Sequence, residues 1–256
     1  MTEIHQALIY TAFAILPGFI WMLFFLNKDN NPEPKRVILR VFIMGMLVTF
    51  PVFFIEYGLI NLLNKLNLEG DLYDFIQYFL IVGVAEELFK YIAFRYTALK
   101  SQYLDEPIDV PMYMIVAALG FATAENVILF SQKTFEFLIE PASLAIIRFI
   151  GANFLHVLCS GIFGFYIAVS FYRTKKRHFL FWGGFLIAVI IHGIFDFFLK
   201  YSIIEHGGET EWTPIIVIVA TALIVSYILL RQALKKLKKL KTICKIWKKK
   251  KINKYN

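Results

Sequence analysis

Two adjacent glutamates and a lysine lie inside an otherwise apolar run of about 27 residues, from Leu72 to Ala98. A helix of that length, at ~1.5 Å per residue, is long enough to cross a bilayer. Glu86, Glu87 and Lys90 would then lie near its middle, where an ionised side chain costs at least ~2.5 kcal/mol. Such a group is either a packed, protonated structural residue or a functional one, and the glutamate pair with a lysine one turn on favours function.

More polar residues interrupt the apolar segments that follow. They are Glu125 and Asn126, then Arg148, Asn153, His156 and Ser160, and finally His192 and Asp196. Counted along their segments, Glu86, Glu125, His156 and His192 all lie ~20 Å from one end. Two glutamates and two histidines brought to one level by four helices predict a shared polar site inside the membrane.

The spacing of these residues predicts several contacts. Glu86 and Lys90 are four residues apart, with the glutamate on the N-terminal side, which is the favoured order for a helical ion pair. They therefore share a helix face and can pair. Glu87 is turned by about 100° from Glu86, so we expect Lys90 to hold one glutamate while the other meets a different environment. His192 and Asp196 are also four residues apart, and the carboxylate could orient the imidazole or serve the site itself.

Other charged residues are assigned by their depth. Arg148 and Asp196 lie at similar depths, and we expect an ion pair between them that closes the outer end of the site. Arg40 and Arg95 lie near cytoplasmic ends of their segments and can extend to the surface, and Glu56 lies near an outer end. These last three are not included in the predicted site. Asn153 and Ser160 are expected to pack helices together.

The composition indicates a membrane protein. Hydrophobic residues make up 59% of the 256 residues, the mean hydropathy is +0.63, and 18% of residues are charged, whereas soluble domains have about 25%. Hydropathy predicts an all-α, polytopic bundle with seven spans, at about 4–26, 37–60, 72–98, 112–130, 143–171, 179–200 and 213–231. We expect a membrane bundle over 1–231, with its catalytic core at 72–200, in a multi-pass protein of the cell membrane.

Charge distribution predicts the orientation. The loops at 27–36, 99–111 and 172–178 are basic, as is the C-terminal tail, while the alternate loops carry one lysine each. The positive-inside rule then gives an outside N-terminus and a cytoplasmic C-terminus. The start of the chain lacks a basic segment and a cleavage site, so we expect no removed signal peptide.

The net charge of +8 is concentrated in the tail, since residues 231–256 hold 12 of the 27 lysines and arginines. At 232–256 apolar residues recur at helical spacing between lysines: Leu234, Leu237, Leu240, Ile243, Cys244 and Trp247. This pattern is typical of an amphipathic helix on anionic lipid headgroups and not of a nucleic-acid-binding arm. Cys159 and Cys244 are far apart, which supports neither a disulfide framework nor a cysteine metal cluster.

As a set, these motifs resemble those of the PrsW family of intramembrane proteases, within the wider clan of CAAX prenyl endopeptidases. The family's four motifs correspond in order to Glu86, Glu87 and Lys90; to Phe121, Glu125 and Asn126; to Arg148, His156 and Gly161; and to His192 and Asp196. The resemblance covers residues 72–200. One position departs from it, because Leu129 stands where the family has a tyrosine.

The resemblance implies cleavage of membrane-anchored protein substrates, typically anti-sigma factors in bacterial stress signalling. Hydrolysis in lipid requires a shielded water, a base and donors for the oxyanion. On this basis Glu86 or Glu87 is the expected base, and Asn126 an oxyanion or positioning donor. Glu125, His156 and His192 are expected to hold the water or a metal ion.

Metal use and function class remain open at this point. Two histidines and a carboxylate suit Zn²⁺, but the chain has no HExxH signature, and the same residues could hold water with glutamate as the base.

An ion-coupled transporter or proton relay would also place ionisable residues in the membrane, although we find no internal repeat. A catalytically silent scaffold of the same fold is the third alternative.

Overall fold

In the computed structural model of the protein, the structure describes residues 3–27, 33–132, 145–146, 148–204 and 212–240. All regular structure in these ranges is helical. The α-helices are α1 (Glu3–Leu26), α2 (Lys35–Asn64), α3 (Gly70–Phe75), α4 (Val84–Thr97), α5 (Asp109–Ser131), α6 (Ala152–Tyr172), α7 (Arg177–Ile204) and α8 (Trp212–Leu237). A π-helix (Ile76–Gly83) joins α3 to α4, and a 3₁₀ turn (Thr174–Lys176) precedes α7.

Within the described ranges, five helical segments are long and apolar enough to cross a membrane. They are His5–Leu26, Lys35–Asn64, Asp109–Ser131, Arg148–Tyr172 and Arg177–Leu199. The predicted spans 72–98 and 213–231 also coincide with helical segments but are not among these five. The first of them is divided by the π-helix, and its last part carries four charged residues. The protein is therefore all-helical and multi-pass, as predicted, and the orientation of its termini stays a prediction.

Helix α5 forms the centre of the bundle. Every residue from Asp109 to Ala124 is buried, because α5 packs against α1, α2, α4 and α6. A helix that is apolar on all sides is stable only when it is enclosed in this way. The polar residues near its end, Glu125 and Asn126, are consequently held inside the bundle.

Helices α2 and α5 approach until their backbones touch. A Cβ atom added to Gly45 would overlap the carbonyl oxygen of Ala117, and one added to Gly120 would overlap that of Phe42. Small residues permit this close packing, which supplies dispersion contacts between helices in lipid. The contact fixes α2 alongside the half of α5 that leads to Glu125.

The π-helix ends at Gly83, three residues before Glu86. Because a π-helix turns less per residue than an α-helix, it rotates α4 relative to an uninterrupted helix. Glu86, Glu87 and Lys90, which follow it on α4, are all buried, although they extend over more than one helical turn.

The outward faces of α1 and α2 are apolar. Leu16, Leu23, Leu47 and Phe54 are each more than half exposed, which fits a surface that lipid covers. At the other end of the chain, α8 continues past residue 231 to Leu237, so the tail begins as an extension of this helix. Its predicted continuation through Ile243, Cys244 and Trp247 lies outside the described residues, as do the loop lysines Lys28 and Lys133.

Candidate active site

Lys90 is at the centre of a buried polar cluster. Its ammonium nitrogen lies 2.9 Å from Oε2 of Glu86 and 2.9 Å from Oε1 of Glu87, and the side chain is fully buried. The predicted pairing with Glu86 is confirmed. The expectation that Lys90 holds only one glutamate is wrong, since the i, i+3 and i, i+4 positions both come within its reach.

The third contact of Lys90 crosses to α6. Its nitrogen lies 2.7 Å from Nδ1 of His156, and the ring of Phe121 lies 4.7 Å away on another side. An ammonium group can only donate hydrogen bonds, so Nδ1 of His156 must be the acceptor. The ring proton of a neutral His156 is therefore on Nε2, where it is donated to Oε2 of Glu125 at 3.0 Å.

Glu125 joins the cluster from α5 and also binds Arg148. The guanidinium lies 2.7 Å from the same Oε2 atom of Glu125, and its Nε donates to Oδ1 of Asn126 at 2.6 Å. The predicted ion pair between Arg148 and Asp196 is wrong. Two acceptors on adjacent residues of α5 take the guanidinium instead, and Asp196 contacts a residue of its own helix.

That residue is His192, whose two ring nitrogens both face carboxylates. Nδ1 lies 2.9 Å from Oε1 of Glu87, and Nε2 lies 3.2 Å from Oδ2 of Asp196 and 3.6 Å from Oε2 of Glu86. The predicted contact between His192 and Asp196 is confirmed. The imidazole of His156 lies nearby, with its ring centroid 5.3 Å from that of His192.

Asn126 connects the cluster to the rest of the bundle. Its amide nitrogen donates to the carbonyl oxygen of Ala14 and to Oδ1 of Asn153, both at 3.2 Å. Those two bonds use both amide hydrogens, while the amide oxygen accepts from Arg148. Asn153 therefore packs helices together through its contact with Asn126. The hydroxyl of Ser160 donates to Glu87 at 3.5 Å.

The cluster also contains groups suited to a metal ion. Ligand atoms of Glu86, His156 and His192 lie within 4.8 Å of one another, and a carboxylate with two imidazoles is a typical catalytic zinc set. The predicted set differs from this group by having Glu125 in place of Glu86. Cys159 forms a second group with Glu87 and His192, and no motif in the sequence predicts a cysteine at this place.

The formal charge of the cluster is negative. Its carboxylates are Glu86, Glu87, Glu125 and Asp196, and its permanent cations are Lys90 and Arg148. With both histidines neutral, four negative and two positive groups leave a charge of −2. Because an uncompensated buried charge is strongly unfavourable, a dication or bound protons would stabilise this arrangement. A metal held by Glu86 and His156 would compete with Lys90, which contacts both residues.

A cavity of about 250 Å³ leads from the surface to the cluster between α2 and α5. It is lined by Thr49, Val52, Phe53, Glu56, Glu86, Phe121, Glu125, Ile128, Leu129, Gln132 and Arg148. Leu129, at the position that departs from the family pattern, lies in this wall. Glu56 was excluded from the predicted site because of its depth, yet it lines the same cavity as Glu86. Its status as the only acidic residue of α2 is the sequence signal that could have identified it.

Comparison with known proteins identifies the family. A sequence model described as the PrsW family intramembrane metalloprotease matches residues 33–229. The chain belongs to the PrsW family. Protease PrsW of Geobacillus kaustophilus strain HTA426 is 31% identical over 187 residues, which cover 72% of this chain and 77% of that protein. Protease PrsW of Bacillus subtilis strain 168 is 30% identical over 188 residues, which cover 72% and 80%. No solved structure matches the chain.

The match places this PrsW family member among multi-pass membrane proteases, and it spans all four motifs from Glu86 to Asp196. In the structure the histidines and carboxylates of these motifs converge on one buried cluster, which comes from α4, α5, α6, α7 and the helical turn at Arg148. The family description refers to a metalloprotease, and the donor group around His156 and His192 is of a type that could bind a metal.

Proposed function

We propose that this protein is an intramembrane endopeptidase that hydrolyses a peptide bond of a membrane-anchored protein substrate resembling an anti-sigma factor. The proposal rests on one observation. Four side chains, Glu86, Glu87, His156 and His192, converge on one buried cluster beside a cavity that reaches the surface. A water molecule in such a site is shielded from bulk solvent and meets carboxylates and imidazoles, as peptide hydrolysis requires.

Glu86 is the carboxylate that activates the water. It lines the cavity, whereas Glu87 is fully buried and contacts Lys90, His192 and Ser160. A base must lie within hydrogen-bond reach of the water that it deprotonates, and only a group at the cavity wall satisfies this. Glu87 acts as a positioning residue that fixes the imidazole of His192.

The remaining groups orient the site. Glu125 accepts the Nε2 proton of His156 and fixes that ring, and Arg148 holds Glu125. Asn126 positions Arg148 and does not serve as an oxyanion donor, since both of its amide hydrogens are used within the bundle. Such supporting contacts keep reacting groups in a productive geometry.

A Zn²⁺ ion would be held by Glu86, His156 and His192, and Glu86 would then serve as a ligand instead of as the base. When bound, such an ion polarises the scissile carbonyl and makes a coordinated water easier to deprotonate. In the metal-free alternative, Glu86 takes the proton from the water and the two imidazoles hold that water. Both versions require Glu86, His156 and His192, and they differ in their response to chelation.

Reconstitution tests the proposal. The purified full chain in vesicles would be incubated with single-span anti-sigma-factor segments shortened at their outer ends, and products would be identified by mass spectrometry. We expect cleavage that Glu86→Gln abolishes and that the exposed-site control Glu69→Gln leaves unchanged. Equal cleavage by Glu86→Gln would reject the assigned base. Elemental analysis of the same preparation, with activity after chelation, decides between the two versions.

The orientation and the lipid contacts belong to the same proposal. With the C-terminus cytoplasmic, the basic end of α8 meets anionic headgroups of the inner leaflet. A cavity of about 400 Å³ between α1, the start of α5 and α8 is lined by Arg231, Lys235 and Lys238 together with apolar side chains. We expect Arg231→Gln with Lys235→Gln to reduce copurified anionic lipid in native mass spectrometry. Unchanged lipid content, equal to that of the control Lys65→Gln, would oppose this assignment.

A further inference from the structure

Glu56 is the only acidic residue of α2, and one of its carboxyl oxygens is unusual. Oε1 is buried and has no hydrogen-bond partner among the residues that the structure describes. Buried polar atoms are nearly always bonded, because an unpaired one forfeits its interactions with water. An unpaired acceptor in the wall of a cavity is therefore a candidate contact for a ligand.

The surroundings of Glu56 point to the proteolytic cleft. It shares the cavity of about 250 Å³ with Glu86 and Glu125, so a molecule that fills this cavity can contact both Glu56 and the water-activating carboxylate. Two residues of its lining are exposed, Phe53 at 43% and Gln132 just after α5. Most of the remaining lining is apolar.

A peptide that is cut within a membrane has a specific need that this wall can meet. Its backbone must unwind at the scissile bond, which frees N–H and C=O groups from their helical hydrogen bonds. At membrane depth each unpaired backbone group costs several kcal/mol, so the enzyme must supply partners. The carboxylates of Glu86 and Glu125 in the same wall already have partners within the cluster, whereas Oε1 of Glu56 has none among the described residues.

We propose that the cavity between α2 and α5 receives the unwound backbone of the substrate, and that Oε1 of Glu56 accepts one of its backbone N–H groups. A carboxyl oxygen can accept in either protonation state. Glu56 is thus a positioning residue for a membrane-anchored peptide and does not take part in the proton transfer. The inference rests on the proposed endopeptidase function and adds where its substrate binds.

Kinetics in vesicles test this role. The probe is a single-span anti-sigma-factor segment with a fluorophore and a quencher on either side of the cleaved bond. We expect Glu56→Leu to raise KM about tenfold, which corresponds to the loss of one hydrogen bond to a carboxyl group, with kcat within about twofold of wild type. Glu56→Gln retains a side-chain oxygen and should restore most of the affinity. Tyr57→Phe, on the exposed side of α2, is the matched control.

Folding and binding have separate readouts. Glu56→Leu removes an unpaired buried oxygen, so its melting temperature should not fall below that of wild type. For binding, Glu56→Cys and Tyr57→Cys are each combined with Glu86→Gln and exposed to a cysteine-containing substrate segment under mild oxidation. We expect a disulfide cross-link through position 56 and none through position 57.

The outcomes are distinct. An unchanged KM in Glu56→Leu, or a cross-link through position 57 that equals that through 56, would overturn the assignment of Glu56. If the wild-type protein cleaves no segment, the endopeptidase proposal fails, and the cross-link alone still decides whether the cavity between α2 and α5 binds peptide.

Discussion

The ammonium nitrogen of Lys90 lies 2.7 Å from Nδ1 of His156, in a part of the bundle where the lysine side chain is fully buried. Together with its contacts to Glu86 and Glu87, this uses all three hydrogens of the ammonium group. The lysine therefore neutralises part of the carboxylate charge and also fixes the tautomer of a neutral His156. Two of its partners, Glu86 and His156, also belong to the group that could hold a metal ion.

Replacement of Lys90 tests this compensation. Lys90→Met leaves two carboxylates without their buried cation, and loss of one partner of a buried pair typically costs about 3–5 kcal/mol of unfolding free energy. We expect a lower melting temperature in detergent, partly restored by added zinc if a metal takes the vacated position.

The control for this prediction is Lys65→Met, at an exposed position after α2, which should change stability by less than about 0.5 kcal/mol. A melting temperature of Lys90→Met equal to that of Lys65→Met would show that the cluster does not depend on the lysine charge.

The two buried histidines are expected to determine metal content. His156→Ala and His192→Ala should each reduce bound zinc in elemental analysis and reduce peptide cleavage by at least about a hundredfold, because each removes one of three ligands. His178→Ala, on an exposed part of α7, is the matched control. Zinc bound equally by all three variants would place the metal elsewhere, and zinc found in none of the preparations, including wild type, would favour the glutamate-type mechanism.

The contact between Arg148 and Glu125 can be measured by a double-mutant cycle. Arg148→Met, Glu125→Gln and the double variant should give a coupling energy of about 0.5–2 kcal/mol in unfolding experiments, since the 2.7 Å contact is only partly shielded from solvent, with the Glu125 side chain 34% exposed. Arg95→Met, at an exposed position, should show no coupling to Glu125→Gln. Additive effects of the Arg148 and Glu125 variants would contradict the pair.

Because α2 packs closely against α5, replacing two glycines of α2 with alanine should have opposite effects on the stability of the protein. Gly45→Ala would drive a methyl group into the carbonyl oxygen of Ala117, so we expect a loss of about 1–3 kcal/mol and reduced cleavage as the cavity wall shifts. Gly58→Ala meets no atom within 4 Å and should stabilise α2 by up to about 1 kcal/mol. Thermal unfolding of both variants checks this, and equal effects would argue against backbone contact between the helices.

Much of the site could be predicted from the sequence, because ionisable residues are rare in membrane spans. The periodicity of a helix placed Glu86 beside Lys90 and His192 beside Asp196, and both contacts occur in the structure. Depth along each span brought Glu125 and the two histidines to one level. Local spacing and hydrophobic length determine these features, so no knowledge of helix packing is required.

Contacts between helices were decided by tertiary structure. Depth alone paired Arg148 with Asp196 and left Glu56 outside the site, whereas rotation of the helices about their axes gives Arg148 to Glu125 and turns Glu56 into the cavity. The π-helix before Glu86 adds a rotation that apolar sequence does not reveal. A single sequence fixes how far along each helix a side chain lies, but the direction in which it points depends on packing that involves every neighbouring helix.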